Sequence, residues 1–520
     1  MDENNNFNQT NQDNTAFEIP EKKKKKSAAP FLAAGIVAVC TGVGVAAVKG
    51  LSPKASVKAE VTKNYTDFIS RETIYSQIKD ENIAEILANG EYTVEGGIKL
   101  DENSGSDKLS GLGLQYSNVV SVEQKKASLD MMADYNGVDL VRIMISCDEN
   151  STRAHIPALF SESFYIENKN ILEQLSKSQV LGQYASNAMD EIGEVSIEPF
   201  ALAEANKASY ALNKKVKELW KDALKEAGDA LVYEKGEKMT APNGKETDSY
   251  IITWPVDSAK STALKFLNGI KDSEEYKQAI NAQAEFLYAS EPDMEQQAGS
   301  KEDFEKQASE EFEDMIKKVE SANFEDIKIT ALPTENGMIF KIAQAVNDTN
   351  VKMDLEYNRD SKSLKVNAVV ESGEKKTVLT YDDSITVSDG IISENHNFTS
   401  EEEDEKFVLA STAQFNKADG TVDGSVTASD GEDNKVKADY KGNIVKSDGK
   451  FQADNVTLSL SNGEDSVKLS GNLTVKKREE DPREINSSSE IKLSELGVVQ
   501  AMKLYNEAKD NLKSIADIIG

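Results

Sequence analysis

The sequence predicts an α+β fold: a large curled antiparallel β-sheet, a half-barrel in one or two lobes, packed by helices and preceded by one transmembrane helix. Three observations carry that expectation. Apolar and polar residues alternate over most of 327–480, helical spacing dominates 201–326, and an uncharged stretch near the N-terminus is long enough to cross a bilayer.

Residues 1–26 are Asn-rich and end in five lysines, Lys22 to Lys26, which Asp2, Glu3, Asp13, Glu18 and Glu21 offset. So polar a segment buries no core and is expected to be a disordered cytoplasmic tail. Residues 27–49 contain the run APFLAAGIVAVCTGVGVAAV, read as a transmembrane helix. The lysines before it outnumber Lys49, Lys54 and Lys58 after it, so the positive-inside rule places the N-terminus in the cytoplasm and the C-terminal domain outside. A signal peptide cleaved near Val57-Lys58-Ala59 is the competing reading, but the apolar run exceeds an ordinary h-region. Ala34, Ala38, Gly42, Ala46 and Gly50 form a small-residue stripe that suits weak self-association through the span. Residues 50–65 read as a stalk.

The segment 66–200 is expected to hold a helix and a β lobe. A helix over 66–89 carries Ile69, Ile74, Ile78, Ile83, Ile86 and Leu87, and Gly90 stops it. Strands follow over 92–100, 114–122, 127–135 and 138–147, with Asn136-Gly137 as a hairpin turn, and a further extended stretch reaches Ile166. The segment 201–326 is mainly helical: 201–232, 258–270, 274–289 and 301–321, interrupted by a strand over 250–256. Ser300 is placed to cap the last of these, with Glu302 and Asp303 in its first turn. From 327 to 480 the period is two, as in Val351, Met353, Leu355 and Tyr357, and turns such as Asp419-Gly420 and Asn462-Gly463 punctuate an antiparallel meander. A C-terminal helix over 494–519 closes the chain.

Composition narrows function. Ninety-one acidic residues against 60 basic ones leave a net charge of −31, which excludes nucleic acid as a partner and reads as solubility through self-repulsion. Of two cysteines, Cys40 lies in the apolar run, so Cys147 has no disulfide partner outside it. An extracellular domain of this size without bridges points to a bacterium, of Gram-positive type.

Candidate chemistry is sparse. His155 and His396 are the two histidines and lie far apart in sequence, a poor start for a metal site or a nucleophilic triad. Cys147 precedes Asp148 and Glu149, which disfavour a thiolate. Asp101-x-Asn103-x-Gly105-x-Asp107 opens like a calcium loop, but Leu112 stands where a bidentate glutamate belongs. The acidic run Glu401 to Glu405 reads as a solvated loop, and Trp220 and Trp254 as core. No nucleotide-binding, metalloprotease or nucleophile-elbow motif is present. We therefore expect no catalytic, cofactor-binding or metal-binding residues and no cofactor.

The layout of Asn-rich tail, lysine cluster, single span, helix and Gly/Asp-punctuated meander resembles a clostridial Gram-positive family of single-pass membrane proteins, the domain of unknown function DUF6583. The helix-plus-curled-sheet pattern also resembles the LolA/LppX half-barrels, and that resemblance implies a lipid held against the sheet. The expected function is a non-enzymatic, membrane-anchored extracellular module that binds a lipid, an envelope polymer or a protein. The alternatives are a structural or adhesive surface protein and a cell-wall hydrolase.

Overall fold

The computed structural model describes residues 67–519, except 68–69, 79–80, 105–108, 193–194, 242–243, 291–298, 348, 374, 403–404, 431–434, 448, 464 and 486–488. The expected tail (1–26), span (27–49) and stalk (50–65) lie outside the described residues.

Two short helices, α1 (Ile74–Ile78) and α2 (Glu81–Asn89), precede the first meander. It comprises β1 (Glu91–Asn103), β2 (Leu112–Ser121), β3 (Lys126–Tyr135), β4 (Val138–Asp148), β5 (Ser151–His155) and β6 (Ser163–Glu167). Asn136 and Gly137 both have positive φ, 52° and 80°, in the β3–β4 turn, which accounts for the Asn-Gly signal. Helices α3 (Ile171–Ser176), α4 (Gly182–Ile192) and α5 (Ala201–Ala230) follow. Then come β7 (Val232–Thr240), β8 (Glu246–Trp254), α6 (Val256–Lys271), α7 (Glu274–Ser290) and α8 (Lys301–Ser321). Ser300 caps α8 reciprocally: its hydroxyl accepts from the Asp303 N–H, and the Asp303 carboxylate accepts from the Ser300 N–H.

The second meander runs through β9 (Ile327–Thr334), β10 (Gly337–Val346), β11 (Thr349–Asn358), β12 (Ser363–Ser372), β13 (Lys375–Ser388) and β14 (Ile391–Glu402). It continues through β15 (Glu405–Asn416), β16 (Thr421–Ser429), β17 (Lys435–Ser447), β18 (Lys450–Asn462) and β19 (Asp465–Lys477). A three-residue strand, β20 (Glu490–Lys492), precedes α9 (Val498–Ile519).

All twenty strands join one sheet. β1 pairs with β19, so the first meander continues the second without a break. Its spatial order is β20-β6-β5-β4-β3-β2-β1, then β19 back to β7 in descending order. Every pairing is antiparallel except β6–β20, and among the described residues β7 and β20 have one neighbour each. The sheet is therefore open, with two edges.

Two expectations are corrected. The described residues do not form an α+β half-barrel of one or two lobes: they form one continuous twenty-stranded sheet, because β1 adds to β19. Among the described residues no helix is long and apolar enough to cross a membrane. The expected helical single-pass anchor, and the cell-membrane placement with an extracellular C-terminal domain that depends on it, therefore find no support among the described residues.

Helices cover one face of this sheet unevenly. Ala227 and Leu231 at the end of α5, with Ala259 of α6, pack on Tyr233, Ile252, Trp254, Ile329, Ala331, Met338 and Met353 of β7–β11. α2 and Ala203 of α5 cover Tyr92, Val120 and Ala127. Ile74 of α1 covers Ile385, Ile392, Phe415 and Val422.

The β1–β19 seam brings backbones very close. A Cβ at Gly471 would stand 2.1 Å from the Gly97 carbonyl oxygen, and one at Gly96 would stand 2.4 Å from that of Asn472. Gly471→Val should destabilise the protein by about 2–4 kcal/mol in urea denaturation, since backbone must move. Gly463→Ala, with nothing within 4 Å of the new Cβ, should cost about 1–2 kcal/mol, all of it from the left-handed backbone at φ 62°.

Candidate functional site: the two faces of the sheet

Period-two alternation runs across the second meander in register. Val366, Tyr381, Phe398, Leu409, Ala428 and Val436 form one cross-strand row from β12 to β17. Tyr440, Leu458, Leu469 and Leu100 form a parallel row from β17 to β1. The opposite face carries Thr380, Thr399, Asp382, Asn397, Thr427 and Lys437 in the intervening rows. One face is thus apolar and the other polar.

Cover on the apolar face is confined to particular places. α1 and α2 sit at the strand ends near the turns at 122–125, 389–390 and 417–420. Toward the other ends the same face lies open among the described residues. Ile98, Leu114, Phe407, Leu409, Val436 and Leu460 are 39–51% exposed there. From β2 to β15 this band crosses six inter-strand steps, roughly 30 Å.

Polar residues intrude on the apolar face where α1 docks. The buried Arg71 Nη1 donates to both oxygens of buried Asp383, at 3.0 and 3.1 Å, and to the Lys362 carbonyl at 2.9 Å. Asp383 also accepts from the Leu364 N–H at 2.7 Å. Glu394 accepts from the Ile74 N–H at 2.6 Å and lies 3.3 Å from His396 Nε2, while Tyr381 Oη lies 3.0 Å from His396 Nδ1. Both nitrogens of His396 are thereby engaged, and the cluster works as a clamp for the 71–78 segment. A pair such as Arg71–Asp383 is costly to break from one side, because the survivor stays buried and charged.

The clamp perturbs its own groups. Burial pushes the Tyr381 phenol up to about 12, with the Asp383 charge adding to it. Burial raises Glu394, but hydrogen bonds from His396 and the Ile74 N–H, with the charges of His396 and Arg71, hold it below its ordinary value. The hydrogen bond to Glu394 holds His396 above its ordinary value, against burial.

On the polar face a depression of about 980 Å³ opens over β1–β4, β18 and β19. Gly97 lies at its centre, between Gln115 of β2 and Asn472 of β19 in one cross-strand row. Asp130 accepts from Arg142 Nε at 2.8 Å and from Arg483 Nη1 at 3.2 Å. Arg483 belongs to the 478–485 connection, whose N–H groups at Arg483 and Ile485 donate to Ser128 and Ser146 of the same face.

The residues weighed from sequence fall into structural roles. His155 Nε2 lies 3.2 Å from the Phe160 carbonyl. Burial, with Asp148 adding to it, pushes the Cys147 thiol up to about 11, away from thiolate reactivity. Asp101 and Asn103 belong to β1, while 105–108 lie outside the described residues. Glu401 and Glu402 pair with Lys406 and Lys375. Trp254 is buried in the core, and Trp220 packs edge-on against Phe266 at 5.4 Å. Sequence reasoning missed the Arg71–Asp383 and Glu394–His396 contacts. Charged residues at apolar-face positions of β13 and β14 were the available signal.

No family model matches this chain, and no curated protein does. Among solved structures, OprB of Pseudomonas putida is 7% identical over 75% of this chain and 94% of that one, with a TM-score of 0.21. A loop-deletion mutant of OmpT, an outer membrane protein of Vibrio cholerae, is 9% identical over 74% and 97%, with a TM-score of 0.19. A mutant Rh. blastica porin is 7% identical over 74% and 98%, with a TM-score of 0.18. At such scores the strand paths do not superpose.

The clamp has a pH signature. Glu394 contributes stability that is present above its ordinary 4.5 and is lost as pH falls through its lower folded value. His396 contributes stability that is present below its ordinary 6.5 and is lost as pH rises through its higher folded value. Their contact therefore stabilises most between those two values. The urea midpoint should fall as pH rises from that window through the raised folded value of His396, and His396→Gln should lower the midpoint inside the window and flatten the fall.

Proposed function

We propose that this chain is a non-enzymatic binding protein whose open apolar sheet face receives the acyl chains of a lipid. The observation that carries the reading is the exposed band from Leu114 through Ile98 and Leu460 to Val436, Leu409 and Phe407, set against a polar opposite face. A sheet of this kind ordinarily buries its apolar side, and helices do so over β7–β11. The band is mostly aliphatic, and a ligand lying along it removes apolar surface from water at roughly 25 cal/mol per Å². Both ring nitrogens of His396 and Nε2 of His155 have structural partners, which supports binding over catalysis.

Native mass spectrometry of the full chain from its own host should show added mass that organic extraction removes. Leu409→Asp with Val436→Asp should weaken binding of a fluorescent fatty acid about tenfold or more, roughly 1.4 kcal/mol, without unfolding the chain. A bare polypeptide mass, with no fatty-acid binding by the parent chain, would sink the lipid reading.

A further inference from the structure

The polar face carries a feature that the lipid reading does not use. Three cross-strand rows meet in the depression around Gly97. The central row is Arg142, Met132, Gln115, Gly97 and Asn472; its neighbours are centred on Glu95 and on Lys99. At Gly97 the missing side chain leaves a gap flanked on both sides by primary amides. Gln115 and Asn472 sit two strand spacings apart, roughly 10 Å.

The charges around this gap are largely spoken for. Asp130 holds Arg142 and Arg483, Glu95 pairs with Lys476 at 3.1 Å, and Asp454 accepts from Gln452 at 2.6 Å. Asp134 lies over Gly113 and accepts from the Gly137 N–H at 3.1 Å. The side chains of Gln115, Ser117, Ser470 and Asn472, by contrast, make no hydrogen bond among the described residues. What remains is neutral capacity: amides that donate and accept, hydroxyls that do both, and an acidic surround that repels anions.

We propose that this depression binds a neutral glycan, with the Gln115 and Asn472 amides gripping hydroxyls on successive sugars and the Gly97 gap admitting the chain between them. Charge complementarity selects the occupant. A polyanion meets the surplus carboxylates Asp134, Asp139 and Asp454, and a polycation must compete with the arginines and lysines already seated on Asp130 and Glu95. A polyhydroxylated neutral chain meets matched donors and acceptors at no such cost. The lipid site lies on the opposite face, so neither reading depends on the other.

The test is calorimetric titration of the full chain with cellohexaose, hexa-N-acetylchitohexaose and maltohexaose at low and at high salt. We expect at least one to bind with an affinity that salt leaves unchanged. Gln115→Ala with Asn472→Ala should weaken that binding about tenfold. Gly97→Leu should abolish it by filling the gap; a Cβ there meets nothing nearer than 3.5 Å, and an unchanged urea midpoint checks that the variant stays folded. Leu409→Asp should leave it intact. Absence of binding to all three, binding unmoved by the variants, or an affinity that falls steeply with salt would each overturn the proposal.

Discussion

The β1–β19 pairing is the constraint on which the remaining architecture depends. It joins two meanders that are each local in sequence, across a separation as large as the 387 residues between Glu91 and Arg478. Both ends of the seam are fastened. Arg478 donates to the Glu91 carboxylate at 2.8 Å and through its N–H to the Glu91 carbonyl, and Ser104 and Ser466 exchange hydrogen bonds at the other end. Glycines in the seam let the strands approach without a Cβ in the way. Loop closure over such a distance is slow but not prohibitive, because its entropic cost grows only with the logarithm of length. Once made, the contact sets both faces across all twenty strands in common register.

That common register turns local alternation into extended surfaces. An apolar residue every second position means little in one strand. Aligned through β12 to β19 and on to β1, it becomes a continuous apolar face, and the intervening residues become a continuous polar one. The helices then decide what each region can do. α5 and α6 bury the apolar side of β7–β11 into ordinary core, α1 and α2 close one set of strand ends, and among the described residues the opposite ends stay accessible. The polar side owes its depression to a different local choice, a glycine in the row between two amides. Its edges are protected by familiar means: β20 has three residues, and β7 exposes Glu234, Lys235 and Lys238.

Acidic self-repulsion is tolerated because lysines and arginines are interleaved with carboxylates across strands. Pairs such as Lys365–Asp382, Lys375–Glu402 and Lys341–Asp354 are exposed, and each contributes little on its own. The buried Arg71–Asp383 pair differs in kind. It holds a short helix against the sheet, and its value lies in specifying where that segment sits rather than in net stabilisation.

Local chemistry was legible wherever one residue type decides one geometry. Asn136-Gly137 supplied the positive φ of a tight turn, Ser300 with Asp303 capped α8, and Val351 to Tyr357 alternated because one side of β11 is buried. Weak local signals were lost: β7, with Glu234, Lys235, Glu237 and Lys238, does not read as a strand, and α3 and α4 are short. The site was less legible than the fold, because both candidate surfaces exist only through pairing. Gln115, Gly97 and Asn472 are adjacent through hydrogen-bonded neighbours, not through any spacing along the chain. By itself the sequence determined the period, the turns, the caps and the acidic balance, all of which depend on a few neighbouring residues. Tertiary structure alone decided that two meanders form one open sheet, which face stays uncovered, and which polar groups stand together, because those follow from contacts whose entropy cost and register no local pattern encodes.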